Sequence, residues 1–350
     1  MTARTDTGTG RKNIVFLEFL RIIACFLVIV NHTNSRIFLS TPPSGLWLCS
    51  LVYFFLSKPA IPVFLMISGY TMLDREDSYG KTAARFGRIV AGMAVFSCLY
   101  SLFYWLDGTV AVNSPGDFVA LAVSFLTADS YWYLHLYLGI VLMLPFLQKM
   151  AANMKQQDFH VFFLISGLFL GIWPVLVHYV PSMEYSEHFI LPVFNSYIAM
   201  LLWGCYFRRY IQSPGRGSIL GLGLFVGMCL VNTGLTWLEY WNHPGTNYLF
   251  YDNRELLSVV LAAVGLFAFA SGLRFGKRAR GMVLRLGELT FGIYLVSDLL
   301  IVQLEPVYSG LVGFGVNPMA AMVVFELVVF FGGAAITLVL KKLPVLNKIL

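Results

Sequence analysis

Apolar runs of about 20 residues recur along the whole chain, each closed by a short polar or charged segment. A helix needs about 20 mostly apolar residues to cross a bilayer. The pattern therefore predicts spanning helices at about 14–34, 50–73, 83–106, 131–149, 160–179, 190–207, 218–238, 256–272, 284–304 and 318–340. The stretch 117–127 is apolar but too short to cross, which predicts an interfacial or re-entrant piece. Residues 1–350 read as a single membrane domain behind a tail at 1–13, with no soluble domain, repeat or low-complexity linker. The segment Met1–Lys12 and the run after it have the look of a signal peptide, but that run is too long for one and is broken by Arg21, so it predicts an uncleaved first span. The predicted fold class is an all-α polytopic membrane protein of about ten transmembrane helices.

Composition sharpens this picture by exclusion. Of 350 residues, 58% are apolar and 12% are Asp, Glu, Lys or Arg, about half the charge of a soluble domain, and mean hydropathy is +0.74. A water-soluble globule lacks the polar surface it would need. With 30 Phe, 18 Tyr and 7 Trp, a disordered chain is excluded too. The five cysteines are scattered with no CxxC, and no HExxH or other metal-ligand spacing occurs, so neither a metal site nor a disulfide framework is expected.

A net charge of +6 suits a nucleic-acid binder only if the basic residues gather on one soluble face. Here they recur between apolar runs, which points to a lipid bilayer and to no nucleic acid. With ten spans, twenty of the 24 Lys and Arg fall on the side of the N-terminus, and only Arg36 and Arg254 lie in opposite loops. The positive-inside rule makes that side cytoplasmic, with both termini inside. Counting 117–127 as an eleventh span destroys the bias.

Titratable groups within spans are costly and are functional candidates by default. The first span, FLEFLRIIACFLVIVNH, carries Glu18, Arg21 and His32. Glu18 and Arg21 are three residues apart and can pair. Arg21 and His32 are eleven apart, about 20° from the same face and roughly 16 Å along the axis. Two readings carry equal weight on periodicity alone: a site along one helix face, or a snorkelling Arg21 with His32 marking the outer helix end. Lys81, Arg85 and Arg88 form a basic stripe at the start of the third span, suited to a phosphorylated ligand, although topology-setting charge facing anionic lipid is the commoner meaning of such a stripe. Lys58 and His135 sit at a level comparable to His32; Asp298 and Glu326 are further embedded acids, and the other histidines lie at span ends or in loops.

Taken as strings, these segments resemble the acyltransferase family 3 membrane enzymes, which acylate sugars and other surface groups. The resemblance rests on FLEFLRIIACFLVIVNH, IPVFLMISGYTML and ARFGR in order, with weaker matches at SYWYLHLYLGIVLMLP and LGELTFGIYLV, over nearly the whole chain. It is nearest in look to the short bacterial O-acetyltransferases of surface polysaccharides or their lipid-linked precursors. Many members have a His where this chain has Ser297, so no role for that His transfers. The resemblance implies acetyl-CoA as acyl donor, no metal, a glycan or lipid-linked sugar acceptor, and the cytoplasmic membrane of a bacterium. It implies His32 as general base or transient acyl carrier, Arg21 as a stabiliser of donor charge, and Glu18 as its orienter. Arg85 and Arg88 would hold the phosphates of the donor, with Lys81 a local addition. Lys58, Ser68, Tyr70, Trp132 and His135 are the candidate acceptor contacts. A secondary transporter or flippase is the competing reading, disfavoured because no counterpart of the charged first span occurs in the second half of the chain. A membrane scaffold would leave the face carrying Arg21 and His32 unexplained.

Overall fold

A computed structural model of the chain describes residues 14–180, 196–211, 216–242, 250, 253 and 255–349. The tail at 1–13, the first residues of the span expected at 190–207, and His188, His243 and Arg254 lie outside the described residues.

The architecture is helical, with no strand among the described residues. The first half comprises α1 (Val15–Thr33), α2 (Ser35–Ser40), α3 (Gly45–Ser57), α4 (Ala60–Met72), α5 (Tyr79–Leu106), α6 (Pro115–Leu126) and α7 (Trp132–Asn153). Then come α8 (Gln156–Ser166), α9 (Trp173–Tyr179), α10 (Ser196–Tyr210) and α11 (Arg216–Asn242). The chain closes with α12 (Leu257–Ser271), α13 (Lys277–Gly287), α14 (Thr290–Gln303), α15 (Glu305–Gly313), α16 (Pro318–Leu340) and α17 (Pro344–Ile349). Among the described residues, seven stretches are long and apolar enough to cross a membrane, or eight if the bent pair α13–α14 is one span. All the expected spans except 190–207 and 256–272 coincide with these stretches. Those two correspond to α10 and α12, each 15 described residues or about 22 Å of helix, short of the bilayer core of about 30 Å.

Local chemistry accounts for the breaks. The second span is interrupted at Lys58–Pro59, where proline has no amide to donate and Lys58 is drawn inward, 6% exposed. In the fifth, Pro174 cannot bond to the carbonyl four residues back, and the turn before it widens into a π-helix at Gly167–Ile172. Within the span expected at 284–304, the first four residues end the basic helix α13, and the axis turns by 59° before α14. Ser44, Ser78 and Asn317 cap α3, α5 and α16 with side-chain oxygens. The short apolar piece expected at 117–127 is α6, which opens with a Ser114/Asp117 capping box, buries none of its residues, and folds back on α5 with the Phe125 and Tyr104 rings stacked at 5.4 Å.

The outer surface carries large exposed apolar side chains on many helices, among them Phe146, Leu164, Leu220, Phe331 and Val339. In water such a surface would aggregate; it is a lipid-facing one. At the centre runs α1, packed against α3, α4, α12, α13, α14 and α16. The tightest crossing lies nearby, between α4 and α10. A Cβ on Gly69 would fall 1.8 Å from the Leu201 carbonyl oxygen, and one on Gly204 would fall 1.9 Å from that of Met66. Two backbones touch there, a small-residue contact of the kind that joins helices in membranes.

Candidate active site

The face of α1 predicted to carry charge opens onto two cavities. Near its start, Arg21 donates to Glu18 Oε1 at 2.7 Å, with the two side chains 36% and 13% exposed. Glu18 lies against Gly287 at the end of α13, where a Cβ would come within 2.6 Å of Oε2. Arg21 and Glu18 line a cavity of about 500 Å³ whose walls come from α1, α4, α5, α7, α10, α14 and neighbouring segments. Among the described residues, six cations line it (Arg21, Arg75, Arg85, Arg88, Arg208 and Lys341) against two acids, Glu18 and Glu288.

The loop between α4 and α5 organises several of these cations. The Asp77 side chain is 1% exposed and accepts hydrogen bonds from Lys81 and, at 3.2 Å, from Arg85. Its own amide donates to Gln148 Oε1, whose amide nitrogen reaches back to the Met72 carbonyl. Burial works against charge on this carboxyl, but the hydrogen bonds and charges of Lys81 and Arg85 prevail and hold it below the usual carboxylate range. Arg208 pairs with Asp74 at 3.3 Å, donates to the Tyr70 carbonyl and lies over the Tyr70 ring. Lys341 donates to the Glu288 carbonyl. Arg75 and Arg88 are exposed and make no ion pair or hydrogen bond among the described residues. Fixed and unpaired guanidinium groups around one concavity make a site for a polyanion, since each offers forked donors to phosphate oxygens.

The second cavity is a chamber of about 30 Å³ beside the other end of α1, lined by Val28, Asn31, His32, Ser57, Lys58, Ala60, Ile61, Trp132, Tyr133 and Tyr294. His32 is exposed. Asn31 donates to Ser57 Oγ at 3.3 Å, and Ser57 donates to the Phe54 carbonyl. The Lys58 ammonium lies 4.9 Å from the Phe54 ring centre. Thr33, the residue after His32, is anchored to the buried Glu326 of α16 at 2.8 Å, and Glu326 also accepts from Tyr53 of α3 at 2.6 Å. An imidazole, a primary amine and a hydroxyl thus meet in one small chamber, a set able to take and return a proton and to stabilise an oxyanion.

The structure divides the predicted residues between these places. Glu18, Arg21, Arg85 and Arg88 share the large cavity, while His32, Lys58 and Trp132 share the chamber. Ser68 and Tyr70, expected beside the acceptor, line the large basic cavity instead, because α4 runs antiparallel to α1 and carries them toward Phe16 and Arg208. Lys81 lines neither cavity: its side chain is 58% exposed and spent on Asp77. His135 lines neither cavity; it is exposed, and its Nε2 donates to the Leu126 carbonyl, clipping α6 to α7. The sequence reading missed Arg75, Arg208 and Lys341 as site residues, having counted them only as topology-setting charge. Tyr133 and Tyr294, which line both cavities, lie in two of the family-like segments, and neither has a part that the sequence predicts. Among the described residues no three of His, Cys, Asp and Glu lie close enough to hold a metal ion.

Fold and site together define a polytopic helical membrane protein in which a basic cleft meets a small histidine-bearing chamber. The chain matches the family model of the acyltransferase domain, family 3, over residues 14–341 and belongs to that family; it is a membrane acyltransferase. No curated protein and no solved structure matches it significantly.

Proposed function

We propose that this protein moves an acyl group, acetyl, from cytoplasmic acyl-CoA to a hydroxyl of a cell-surface glycan or lipid-linked sugar, across the cytoplasmic membrane of a bacterium. The observation that carries the reading is the junction of the two cavities: six cations surround the larger, and His32 stands in the smaller, which adjoins it. In this reading the chain crosses the membrane ten times and the basic cavity opens to the cytoplasm, as the distribution of Lys and Arg supports.

The donor supplies an activated thioester on a long flexible arm. Arg85, Arg88, Arg75 and Arg208 hold its phosphates at the mouth, with Asp77 and Asp74 setting the directions of Arg85 and Arg208. His32 takes the proton of the acceptor hydroxyl, whose oxygen forms the new ester bond with the acyl carbon. The carbon–sulfur bond breaks, and the imidazolium returns its proton to the departing thiolate. Lys58 faces the developing oxyanion. Positioning dominates the catalysis, since both reactants arrive from opposite ends of α1 into one chamber.

The test uses membranes expressing wild type or His32→Ala, supplied with acetyl-CoA labelled in its acetyl group. Label enters the glycan or lipid-linked sugar fraction with wild type and not with His32→Ala at equal protein level. Purified wild type and His32→Ala both melt higher as acetyl-CoA rises, and Arg85→Ala/Arg88→Ala does not. Full labelling by His32→Ala overturns the role of His32. Absence of any acetyl-CoA effect on wild type overturns the donor.

A further inference from the structure

The two cavities have two lining residues in common, Tyr133 of α7 and Tyr294 of α14. Their rings meet edge-on, centres 6.2 Å apart at 70°, so this pair is the wall between basic cavity and histidine chamber. The two rings are held differently. Tyr133 is buried and flanked by Phe64 at 5.8 Å, Trp132 at 6.1 Å and Tyr137 stacked at 6.1 Å. Tyr294 is only half-buried, and its hydroxyl makes one long bond, 3.2 Å to the Ser130 carbonyl. The backbone beneath it is pinned, because the Leu295 carbonyl accepts from Tyr100 at 2.8 Å. Tyr133 is thus the more enclosed ring of the pair, and Tyr294 the less enclosed one.

The chamber behind this wall is small. Its volume is about 30 Å³. Beside the basic cavity of about 500 Å³ it is a narrow space, and an acyl group reaching it from there has to pass the two tyrosines. A longer chain has to push Tyr294 or Trp132 aside and give up their packing.

We propose that Tyr133 and Tyr294 form an acyl-length selector, a barrier that admits an acetyl group to His32 and excludes longer acyl chains, with Tyr294 as its less enclosed half. This rests on the acyl-CoA reading above and goes further by naming the residues that fix the chain length. A hydrophobic pocket discriminates by about 10- to 200-fold per methylene, so the wild type transfers from acetyl-CoA at least about tenfold better than from propionyl-CoA, and butyryl-CoA falls lower still. Tyr294→Phe keeps the ring, and the acetyl preference stays within about threefold of wild type. Tyr294→Ala merges the two cavities and brings the acetyl-to-butyryl ratio close to one. Tyr294→Leu, which keeps an apolar side chain at the site, serves where the alanine variant fails to accumulate, and lies between the two.

The experiment measures acyl transfer by wild type and these variants from acetyl-, propionyl- and butyryl-CoA, as thiol release and as label in the glycan fraction. Melting shifts with the same three donors run in parallel. A ratio that collapses in Tyr294→Ala or Tyr294→Leu while Tyr294→Phe retains it supports the selector, and a general loss of structure leaves such a ratio unmoved. A ring-free variant with the wild-type ratio overturns the selector alone and leaves the acyltransferase reading standing, as does a wild type that uses butyryl-CoA as readily as acetyl-CoA. A wild type that neither binds nor uses any of the three donors overturns both.

Discussion

Glu326 is fully buried in α16, and what it holds is the end of α1 that carries His32. Its two oxygens accept from Thr33 at 2.8 Å and Tyr53 at 2.6 Å, so one carboxylate joins α1, α3 and α16 next to His32. Hydrogen bonds between helices in membranes contribute about 0.6 kcal/mol on average and up to about 1.7. Thr33→Val, which keeps the shape and removes the donor, is expected to cost an amount in that range. Glu326→Ala loses both bonds, about 1–3 kcal/mol by the same figures, before any cost for the space it leaves. The double variant Thr33→Val/Glu326→Ala should cost less than the sum of the two, by the worth of the shared bond. The assay is denaturation by SDS in mixed micelles followed by tryptophan fluorescence, on all four proteins of the cycle. Donor binding, read as the melting rise with acetyl-CoA, should survive in Glu326→Ala while transfer falls, because the basic cavity lies at the other end of α1. A coupling energy indistinguishable from zero would refute the shared bond. Transfer at the wild-type rate in Glu326→Ala would refute the idea that this anchor positions His32.

Three further outcomes follow from the same geometry. Gly204→Ala places a Cβ 1.9 Å from the Met66 carbonyl oxygen, an overpacking of backbone on backbone worth about 3 kcal/mol or more; a wild-type melting temperature in detergent would contradict the contact. Arg88→Ala removes an unpaired cavity cation and should weaken acetyl-CoA binding about tenfold or more, as befits a charged hydrogen bond of about 1.5–3 kcal/mol, whereas Lys81→Ala should stay within about threefold, both read from melting shifts against acetyl-CoA. Asp77 carries a carboxyl held below its ordinary 3.8, so its contribution to stability is fully present above about pH 4 and is lost as pH falls through the lowered value. Asp77→Asn should therefore show a flatter fall in melting temperature from pH 5 downward than wild type, and parallel curves would exclude Asp77 as a source of the acid sensitivity.

The membrane class was legible because it depends on totals and runs: too little charge for a water-facing surface, and apolar stretches the length of a bilayer. The Glu18–Arg21 pair was legible for a different reason, since residues three apart on a helix share a face whatever the helix packs against. The same logic separated Arg21 from His32 by about three turns and put both on the face that opens into the cavities. It fails across helices. Nothing in the spacing of Ser68 and Tyr70 shows that α4 runs antiparallel to α1 and delivers them to the basic end, or that His135, level with His32, spends its ring on the Leu126 carbonyl. Lys81 matched Arg85 and Arg88 in register but points away, because a buried Asp77 four residues earlier captures it.

By itself, then, the sequence determined that this is a helical membrane protein with a titratable first span, and which motifs tie it to a family of acyltransferases. Tertiary structure alone decided that Arg75, Arg208 and Lys341 join Arg85 and Arg88 around one cavity, that Lys58 and Trp132 close a chamber on His32, and that two tyrosines from distant helices stand between. The physical reason is that periodicity describes one helix at a time. Convergence depends on where helices cross, and those crossings are set by contacts such as Gly69 on Leu201 and Gly204 on Met66, whose partners lie more than a hundred residues apart in the chain.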